Sequence, residues 1–370
     1  GVTFRIENGE LVIARILHGG MIDQQGLLHV GDIIKEVNGR EVFVKCHCDY
    51  DPANDNLIPC KEAGLMFSSG DILQIVNQED VNWWQARHVE GGSAGLIPSQ
   101  LLEEKRKAFV KRDVELSPAD FDRHELLIYE EVAKVPPFRR KTLILIGAPG
   151  VGRRSLKNKL LVSDPQHYGV TIPYTSRKAK SADRENMMYA FTSRSKMEAD
   201  IKAGRYLEHG EYDGNLYGIK IDSIHEVVEA GRICILDVNP QTLKVLRTSE
   251  FLPYVVFIKA PEFEVLKAMN RSGIEAGVAT KRKTVSLTTV YIAVENLQFA
   301  CGKKIASFLP QQDAELKKTI EESAKIQRVY GHYFDLTIVN DDLEEAYSTL
   351  KSSLEKLKGV QQWVPVGWVF

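Results

Sequence analysis

The chain has 370 residues, too many for one compact domain, and its length predicts two or three domains. Hydrophobic residues make up 44% of it and charged residues 26%, which is typical of globular protein with enough apolar surface to build cores. The formal net charge of -2 excludes an overall attraction to nucleic acid or to an anionic membrane, and no apolar stretch approaches the roughly 20 residues of a membrane span.

Cysteine usage shows neither a disulfide framework nor a metal centre. The five cysteines form an odd, scattered set: Cys46, Cys48, Cys60, Cys234 and Cys301. Cys46 and Cys48 are one residue apart, and no second pair follows at zinc-ligand spacing. We therefore expect free thiols in a reducing compartment, no metal and no cofactor. The sequence shows no signal peptide and begins with Gly1 instead of methionine, which is compatible with a piece of a longer chain.

Two small β modules come first along the chain. Residues 1–42 alternate short apolar strands with glycine turns, and residues 43–102 repeat this texture around Trp83 and Trp84. Period-two alternation broken by Gly, Pro and Asn is typical of antiparallel strands. A charged connector, residues 103–140, follows.

The remainder, residues 141–358, predicts an α/β domain. Its continuous apolar runs are residues 142–146, 233–236, 254–258 and 336–339. Helical segments lie between them, and strands buried on both faces that alternate with helices indicate a parallel sheet. Residues 271–310 do not fit this alternation and carry a basic cluster at residues 281–283, so we expect an insertion there. The predicted fold class is thus multidomain, with small β-rich modules and one α/β domain.

A glycine-rich turn follows the first apolar run of this domain. It fits the phosphate-loop pattern G-x-x-x-x-G-K-[ST] at Gly147 and Gly152, a context in which backbone N–H groups bind phosphate at a helix N-terminus. Arg153 stands in place of the phosphate-binding lysine, and Arg154 in place of the hydroxyl that holds Mg²⁺. Ser155 comes one residue late, about 100° around the helix. A compensated nucleotide site and a turn kept only for packing are the alternatives, and the second is favoured.

Together with later motifs, this turn resembles guanylate kinases, and more closely the guanylate-kinase-like domain of membrane-associated guanylate kinases (MAGUKs). The other matching motifs are residues 175–177, 206–208, 210–212, 217–218 and 236–237, with Lys180 and Tyr189. The resemblance implies that a phosphate is surrounded by Arg177, Lys180, Tyr189 and Tyr217, and that Glu208 faces a guanine. Two cations and two phenols are suited to bind a phosphate.

The same resemblance predicts the loss of catalysis. Pro173 and Ile219 occupy positions where the kinases carry hydroxyls, and the arginine-rich lid is not recognisable in the interrupted segment. Because phosphoryl transfer depends on positioned charge, these changes with Arg153 and Arg154 predict a pseudoenzyme. In such scaffolds the pocket binds phosphorylated partners, for which the candidates here are Arg177, Lys180, Tyr189, Glu208, Tyr212 and Tyr217. A structural remnant and an active or residual GMP kinase are the alternatives.

Residues 43–102 resemble an SH3 domain through Tyr50, Trp83 and the closing motif at residues 95–99. Cys48 and Leu101 replace two aromatic residues of the peptide groove, so ordinary polyproline binding is disfavoured.

The aromatic tail, residues 359–370, resembles the last strand of the split SH3 fold of MAGUKs, and residues 127–132 resemble its partner strand. Pairing them would cover two exposed strand edges, so the sequence predicts that the tail completes the SH3 module.

Residues 1–42 resemble part of a PDZ domain. Gly1, Val2, Thr3 and Phe4 match the loop whose N–H groups bind a peptide's terminal carboxylate, and Ile6 lies on the strand that the peptide extends. The second helix and the closing strand of a PDZ domain have no counterpart, so we expect an incomplete module.

The order PDZ, SH3, guanylate-kinase-like domain resembles the p55 subfamily of MAGUKs. The resemblance implies a non-catalytic scaffold on the cytoplasmic face of the plasma membrane at cell–cell junctions such as septate junctions. Its expected partners are the C-terminal tail of a neurexin-like transmembrane adhesion protein, a phosphorylated partner of the kinase-like domain, and other scaffold proteins. Nucleic acid is not expected as a partner, and a homodimer is left open.

Overall fold

A computed structural model of the chain describes residues 2–7, 10–16, 29–31, 33–34, 41–110, 128–179, 189–275 and 309–369. The chain divides into two compact units, residues 1–110 and residues 111–370. No helix within the described ranges has the length and apolar character needed to cross a bilayer.

The first unit opens with a three-stranded antiparallel sheet. Its strands are β1 (Val2–Glu7), β2 (Glu10–Ile16) and β3 (Ile33–Ile34), in that order across the sheet. The predicted carboxylate-binding residues Val2, Thr3 and Phe4 therefore lie in a strand and not in a loop, because β2 supplies ladder partners from Val2 onward. The register shifts between Thr3 and Phe4, while Gly1 lies outside the described residues.

A second antiparallel sheet in the same unit has the order β4, β5, β6, β7. These strands are β4 (Val42–Cys46), β5 (Ile72–Asn77), β6 (Trp83–His88) and β7 (Gly95–Pro98). Alternate residues point into the core, including Val44, Leu73 and Ala86, which are buried. Helix α1 (Gln100–Val110) follows β7 directly, and Ser99 caps it by accepting the N–H of Leu102 at its Oγ (3.1 Å). The period-two prediction for this segment is confirmed.

The second unit is built on a parallel sheet with the strand order β10, β15, β9, β16, β17. These strands are β9 (Thr142–Ile146), β10 (Tyr168–Gly169), β15 (Ile233–Asp237), β16 (Pro253–Lys259) and β17 (Leu336–Val339). Every residue of β9 and β15 is buried, which is expected of strands covered by helices on both faces. The four apolar runs of the sequence fall on β9, β15, β16 and β17, and the α/β prediction is confirmed.

The helices of this unit connect the strands. They are α2 (Arg153–Ser163), α3 (Arg194–Lys202), α4 (Ile221–Glu229), α5 (Leu243–Leu246), α6 (Phe263–Glu275), α7 (Leu309–Tyr330) and α8 (Leu343–Lys356). Helices α6 and α7 extend into both ends of the segment predicted as an insertion, and residues 276–308 lie outside the described residues.

A smaller sheet in the second unit has the order β12, β11, β14, β13. Its strands are β11 (Tyr174–Thr175), β12 (Ala190–Phe191), β13 (Tyr206–Tyr212) and β14 (Asn215–Lys220). Strands β13 and β14 form a hairpin whose turn residues Asp213 and Gly214 both have positive φ (49° and 69°), a conformation that Asp and Gly adopt with little strain. Helix α3 packs on this sheet, with Met197 fully buried against Tyr206 and Leu216.

The C-terminal tail pairs with β8 (Tyr129–Val135) through the antiparallel strand β18 (Gln362–Pro365). The tail thus pairs with a strand near the predicted one, but the ladder uses residues 132–135, of which only Val132 lies in the predicted residues 127–132. Strand β18 is also shorter than the predicted tail strand, residues 359–370. Pro365 lacks the N–H needed to continue the ladder, and a 3-10 helix (Val366–Trp368) follows it. The buried Arg140 donates from Nε to Gln362 Oε1 (2.8 Å) and stacks over the Trp368 ring, which ties the tail to the second unit.

Candidate phosphate-binding site

The turn after β9 is shaped by glycine and held by two polar side chains. Gly152 has φ +95° and caps α2, and a side chain there would collide with the amide of Asn340. That amide donates to Val151 O (2.7 Å), and the hydroxyl of Thr319 donates to Pro149 O (3.3 Å). The turn is therefore a tight one that requires glycine at Gly152, and its carbonyl groups are held by Asn340 and Thr319.

Arg153 is directed at a carboxylate of its own chain. Strands β9 and β15 are parallel neighbours, so the residues at their carboxyl ends meet at one edge of the sheet. Arg153 Nη1 lies 2.7 Å from Asp237 Oδ1, and only 17% and 8% of the two side chains are exposed. Lys157 adds a longer contact, with its Nζ 3.9 Å from the other carboxylate oxygen. Arg154 and Ser155 are exposed on the first turn of α2.

Arg177 is positioned by the backbone of the smaller sheet. Its N–H donates to the hydroxyl of Thr175 (3.1 Å), a fully buried residue of β11. Thr175 is paired with Phe191 of β12 on one side and with Tyr217 of β14 on the other. Arg177 thus follows, by two residues, a strand position that lies between aromatic residues of the two neighbouring strands.

Aromatic rings surround this arginine. The Arg177 Cζ lies 5.6 Å from the ring centre of Tyr189 and 5.4 Å from that of Phe191. Tyr189 and Tyr217 meet edge to face, with ring centres 5.9 Å apart and an interplanar angle of 66°. The structure thus brings together Arg177, Tyr189 and Tyr217, three of the predicted phosphate residues. Sequence reasoning missed Phe191, although its spacing of two from Tyr189 on a strand was a usable signal.

Glu208 of β13 lies near the ion pair of Arg153 and Asp237. We call the surroundings of this pair the nucleotide side of the unit, and the surroundings of Arg177 the phosphate side. The Oε2 of Glu208 accepts the N–H of Asn239 (3.2 Å), whereas Oε1 is buried without a hydrogen-bond partner among the described residues. Burial raises the pKa of Glu208 from 4.5 to about 7, with a smaller contribution from Asp237 and an opposing one from Arg153. This carboxyl is therefore partly protonated at neutral pH.

Other positions singled out by the sequence are Tyr212, Ile219 and Lys180. Tyr212 lies at the hairpin end of β13, two residues beyond Gly210, which faces Tyr217 across the ladder. Ile219 is buried opposite Glu208 and offers no hydrogen-bond donor from its side chain. Lys180 lies outside the described residues.

The aromatic groove predicted in residues 43–102 is contacted by the helix that follows it. Arg106 of α1 lies over the Trp83 ring at 5.4 Å and pairs with Asp55 (2.9 Å), which also accepts the hydroxyl hydrogen of Tyr50 (3.0 Å). Arg106 further pairs with Glu103 of its own helix (2.7 Å). Intramolecular contacts thus engage Trp83, a groove residue that the sequence retains, and Tyr50.

The described cysteines Cys46, Cys48, Cys60 and Cys234 are free thiols. Within the described ranges, no three His, Cys, Asp or Glu side chains are arranged to hold a metal ion.

Family comparisons agree with this module order. A PDZ domain model matches residues 1–43, a variant SH3 domain model matches residues 43–105, and a guanylate kinase model matches residues 139–286 and 278–357. A β-rich PDZ and SH3 pair followed by an α/β guanylate-kinase-like unit defines a modular scaffold of the MAGUK class.

Individual relatives narrow the class to a subfamily. MAGUK p55 subfamily member 2 of Homo sapiens is 58% identical over 429 aligned residues, which cover all of this chain and 70% of the relative. Protein PALS2 of Homo sapiens is 57% identical over 427 residues, covering all of this chain and 74% of the relative. The chain belongs to the MAGUK p55 subfamily, and it is a PDZ–SH3–guanylate-kinase-like scaffold.

One solved structure is similar in module content. The SH3-kinase fragment of tight junction protein 3 is 16% identical with a TM-score of 0.38, and the match covers 88% of this chain and 99% of that one.

Proposed function

We propose that this scaffold binds membrane-protein tails through its PDZ segment and a phosphorylated partner segment through its guanylate-kinase-like unit, without phosphoryl transfer. The observation that carries the proposal is the contrast between Arg153, neutralised by Asp237 at 2.7 Å, and Arg177, held among aromatic rings. Its place of action is the cytoplasmic face of the plasma membrane at cell–cell junctions.

The phosphate loop lacks the charges that phosphoryl transfer requires. A catalytic lysine must reach the β- and γ-phosphates, but the guanidinium of Arg153 is engaged with a buried carboxylate. A cation at Arg154 disfavours Mg²⁺ at the position where a hydroxyl would hold it. The loop geometry survives because Asn340 and Thr319 fix its carbonyl groups.

The side chains around Arg177 are of the kinds that bind a phosphomonoester. Arginine presents a planar set of donors that matches phosphate oxygens, and phenol hydroxyls add further donors. Tyr217 is buried and Tyr189 is partly exposed, so the pocket has a fixed wall and an open side. Pro173 and Ile219 offer no donors, which favours recognition by few contacts.

A coupled assay of ADP release with GMP and Mg·ATP tests the absence of catalysis. We expect no turnover above background, with a true guanylate kinase as the positive control. Turnover within roughly a thousandfold of the 1–100 s⁻¹ typical of kinases would overturn the pseudoenzyme assignment.

Titration with N-acetyl-phosphoserine-N-methylamide, followed by NMR, tests the phosphate pocket. We expect selective binding over the unphosphorylated serine compound, and at least about a tenfold loss in Arg177→Ala, because a charge-assisted contact is removed. Arg328→Ala, which removes an exposed arginine of α7, is the matched control and should bind as the wild type does. Equal binding of the phosphorylated and unphosphorylated compounds to the wild type would contradict the proposal.

The PDZ assignment is tested by pull-down with C-terminal peptides of neurexin-like adhesion proteins. Retention should require a free terminal carboxylate, because the strand that contains Phe4 and Ile6 adjoins the predicted carboxylate site. Equal retention of amidated peptides would exclude this mode of binding.

The tail is proposed to complete the SH3 module, as the resemblance implies. Within the second unit its removal has a defined consequence: without residues 359–370, the buried Arg140 loses Gln362 and Trp368. Hydrogen exchange of the truncated chain should show lost protection in β8. Unchanged protection would argue against a role of the tail in folding.

A further inference from the structure

Strand β12 consists of Ala190 and Phe191, and Tyr189 directly precedes it. This short segment places two aromatic rings at one site. Tyr189 and Phe191 are two residues apart, and alternate residues of an extended chain project to the same side. β12 runs parallel to β11 with Phe191 beside Thr175, and Arg177 follows Thr175 by two residues. The local pairing therefore brings Arg177 to the face where both rings lie.

The backbone around this pair is fixed by hydrogen bonds. Ala190 N–H donates to Pro173 O (3.0 Å), and Thr192 N–H donates to Thr175 O (3.0 Å). Leu216 N–H donates to Ser176 Oγ (2.8 Å), and Ser176 N–H donates to Leu216 O (2.9 Å). These bonds fix β11, β12 and β14 relative to one another and thereby restrict the backbone from which the Arg177 side chain extends.

The contacts of the guanidinium include two aromatic rings and one backbone carbonyl. The guanidinium lies over the rings of Tyr189 and Phe191, and its Nη1 donates to Lys178 O (3.1 Å). Phe191 is 37% exposed, and the Arg177 guanidinium lies 5.4 Å from its ring centre. A flexible arginine side chain loses considerable rotamer freedom on binding a ligand unless it is ordered beforehand.

We propose that Phe191 is a positioning residue that orients the Arg177 guanidinium for binding a phosphomonoester. This role rests on the proposed phosphate-binding function of the same pocket. A ring face attracts the guanidinium without cancelling its charge, in contrast to a carboxylate. Phe191 thereby fixes the plane in which arginine donors meet the phosphate oxygens.

Two substitutions distinguish the effect of the aromatic ring of Phe191 from that of its apolar bulk. Phe191→Leu keeps an apolar side chain and removes the π face, whereas Phe191→Tyr keeps the ring. With N-acetyl-phosphoserine-N-methylamide as the probe, we expect about two- to fivefold weaker binding for Phe191→Leu and binding equal to the wild type for Phe191→Tyr. The unphosphorylated compound, tested on all three proteins, reports any effect unrelated to phosphate.

A spectroscopic signal reports on the positioning without any ligand. The Arg177 Nε–Hε resonance, assigned by its loss in Arg177→Lys, should show a ring-current shift in the wild type. It should move toward the position of a solvent-exposed arginine in Phe191→Leu and remain in place in Phe191→Tyr. Melting temperatures of the variants establish that the unit is folded.

The outcomes distinguish this role from the function on which it rests. A wild-type protein that binds the phosphorylated compound no better than the serine compound overturns the phosphate-binding function and this role with it. Selective wild-type binding that is unchanged in Phe191→Leu, with an unmoved Arg177 resonance, overturns the positioning role alone. Equal weakening in Phe191→Leu and Phe191→Tyr also overturns it.

Discussion

Arg153 and Arg177 both follow strands of the guanylate-kinase-like unit, and the described contacts of their guanidinium groups differ in kind. Arg153 forms a largely buried ion pair with Asp237, with Lys157 nearby. Arg177 lies between the rings of Tyr189 and Phe191. An ion pair uses the charge within the protein, whereas a ring contact orients the charge and preserves it.

The difference supports the proposal that the loop after β9 no longer serves phosphoryl transfer, whereas the surroundings of Arg177 bind a phosphorylated partner. On the nucleotide side, intramolecular cations occupy the surroundings of Asp237, and a bound metal and its phosphates would have to displace them. The unit retains the parallel-sheet architecture of the kinases, and its proposed ligand is a phosphorylated partner segment bound near Arg177.

The largest expected effect comes from removing the carboxylate on the nucleotide side. Asp237→Asn leaves Arg153 and Lys157 without their main counter-charge, and breaking a buried pair in this way costs about 3–5 kcal/mol. We expect a clear fall in the melting temperature of the second unit, measured by calorimetry. Asp222→Asn, at an exposed helix position, is the control and should change little. An Asp237→Asn protein as stable as the wild type would show that Arg153 is not held by this pair.

A second, pH-dependent effect is expected at Glu208. Its pKa is raised from 4.5 to about 7, so its contribution to stability is fully present below pH 4.5 and is lost as the pH rises through 7. Glu208→Gln should therefore gain stability over the wild type with rising pH, by about 2–3 kcal/mol at pH 8, and little at pH 4. Thermal unfolding between pH 4 and 8 measures this difference, with Glu322→Gln, an exposed position on α7, as control. A constant difference across that range would contradict the assigned pKa.

The smallest effect is expected at Arg106, which combines an ion pair with a ring contact. Arg106→Ala removes the Asp55 pair and uncovers one face of Trp83, at a cost of about 1 kcal/mol to the first unit. Denaturant unfolding measures the loss, and acrylamide quenching of tryptophan fluorescence should increase. Lys105→Ala, an exposed neighbour on α1, should change neither. Unchanged quenching in Arg106→Ala would mean that the arginine does not cover Trp83.

Much of the fold was predictable because local patterns encode it. The runs at residues 142–146 and 336–339 coincide with β9 and β17, since a strand buried on both faces must be continuously apolar. The spacing of Gly147 and Gly152 predicted the turn, because positive φ and close approach exclude other residues. The replacement of lysine by Arg153 was also visible in the sequence.

The partners of the charged side chains were not predictable in this way. Asp237 is 84 positions from Arg153, and only the parallel neighbours β9 and β15 bring their ends together. The position of Phe191 beside Arg177 depends on the pairing of β11 with β12 across 14 positions of chain. The sequence by itself determined the strands, the turn and the kinds of charge present. Tertiary structure decided which charge is neutralised and which is oriented, because side-chain pairing over long separations is set by strand order and register.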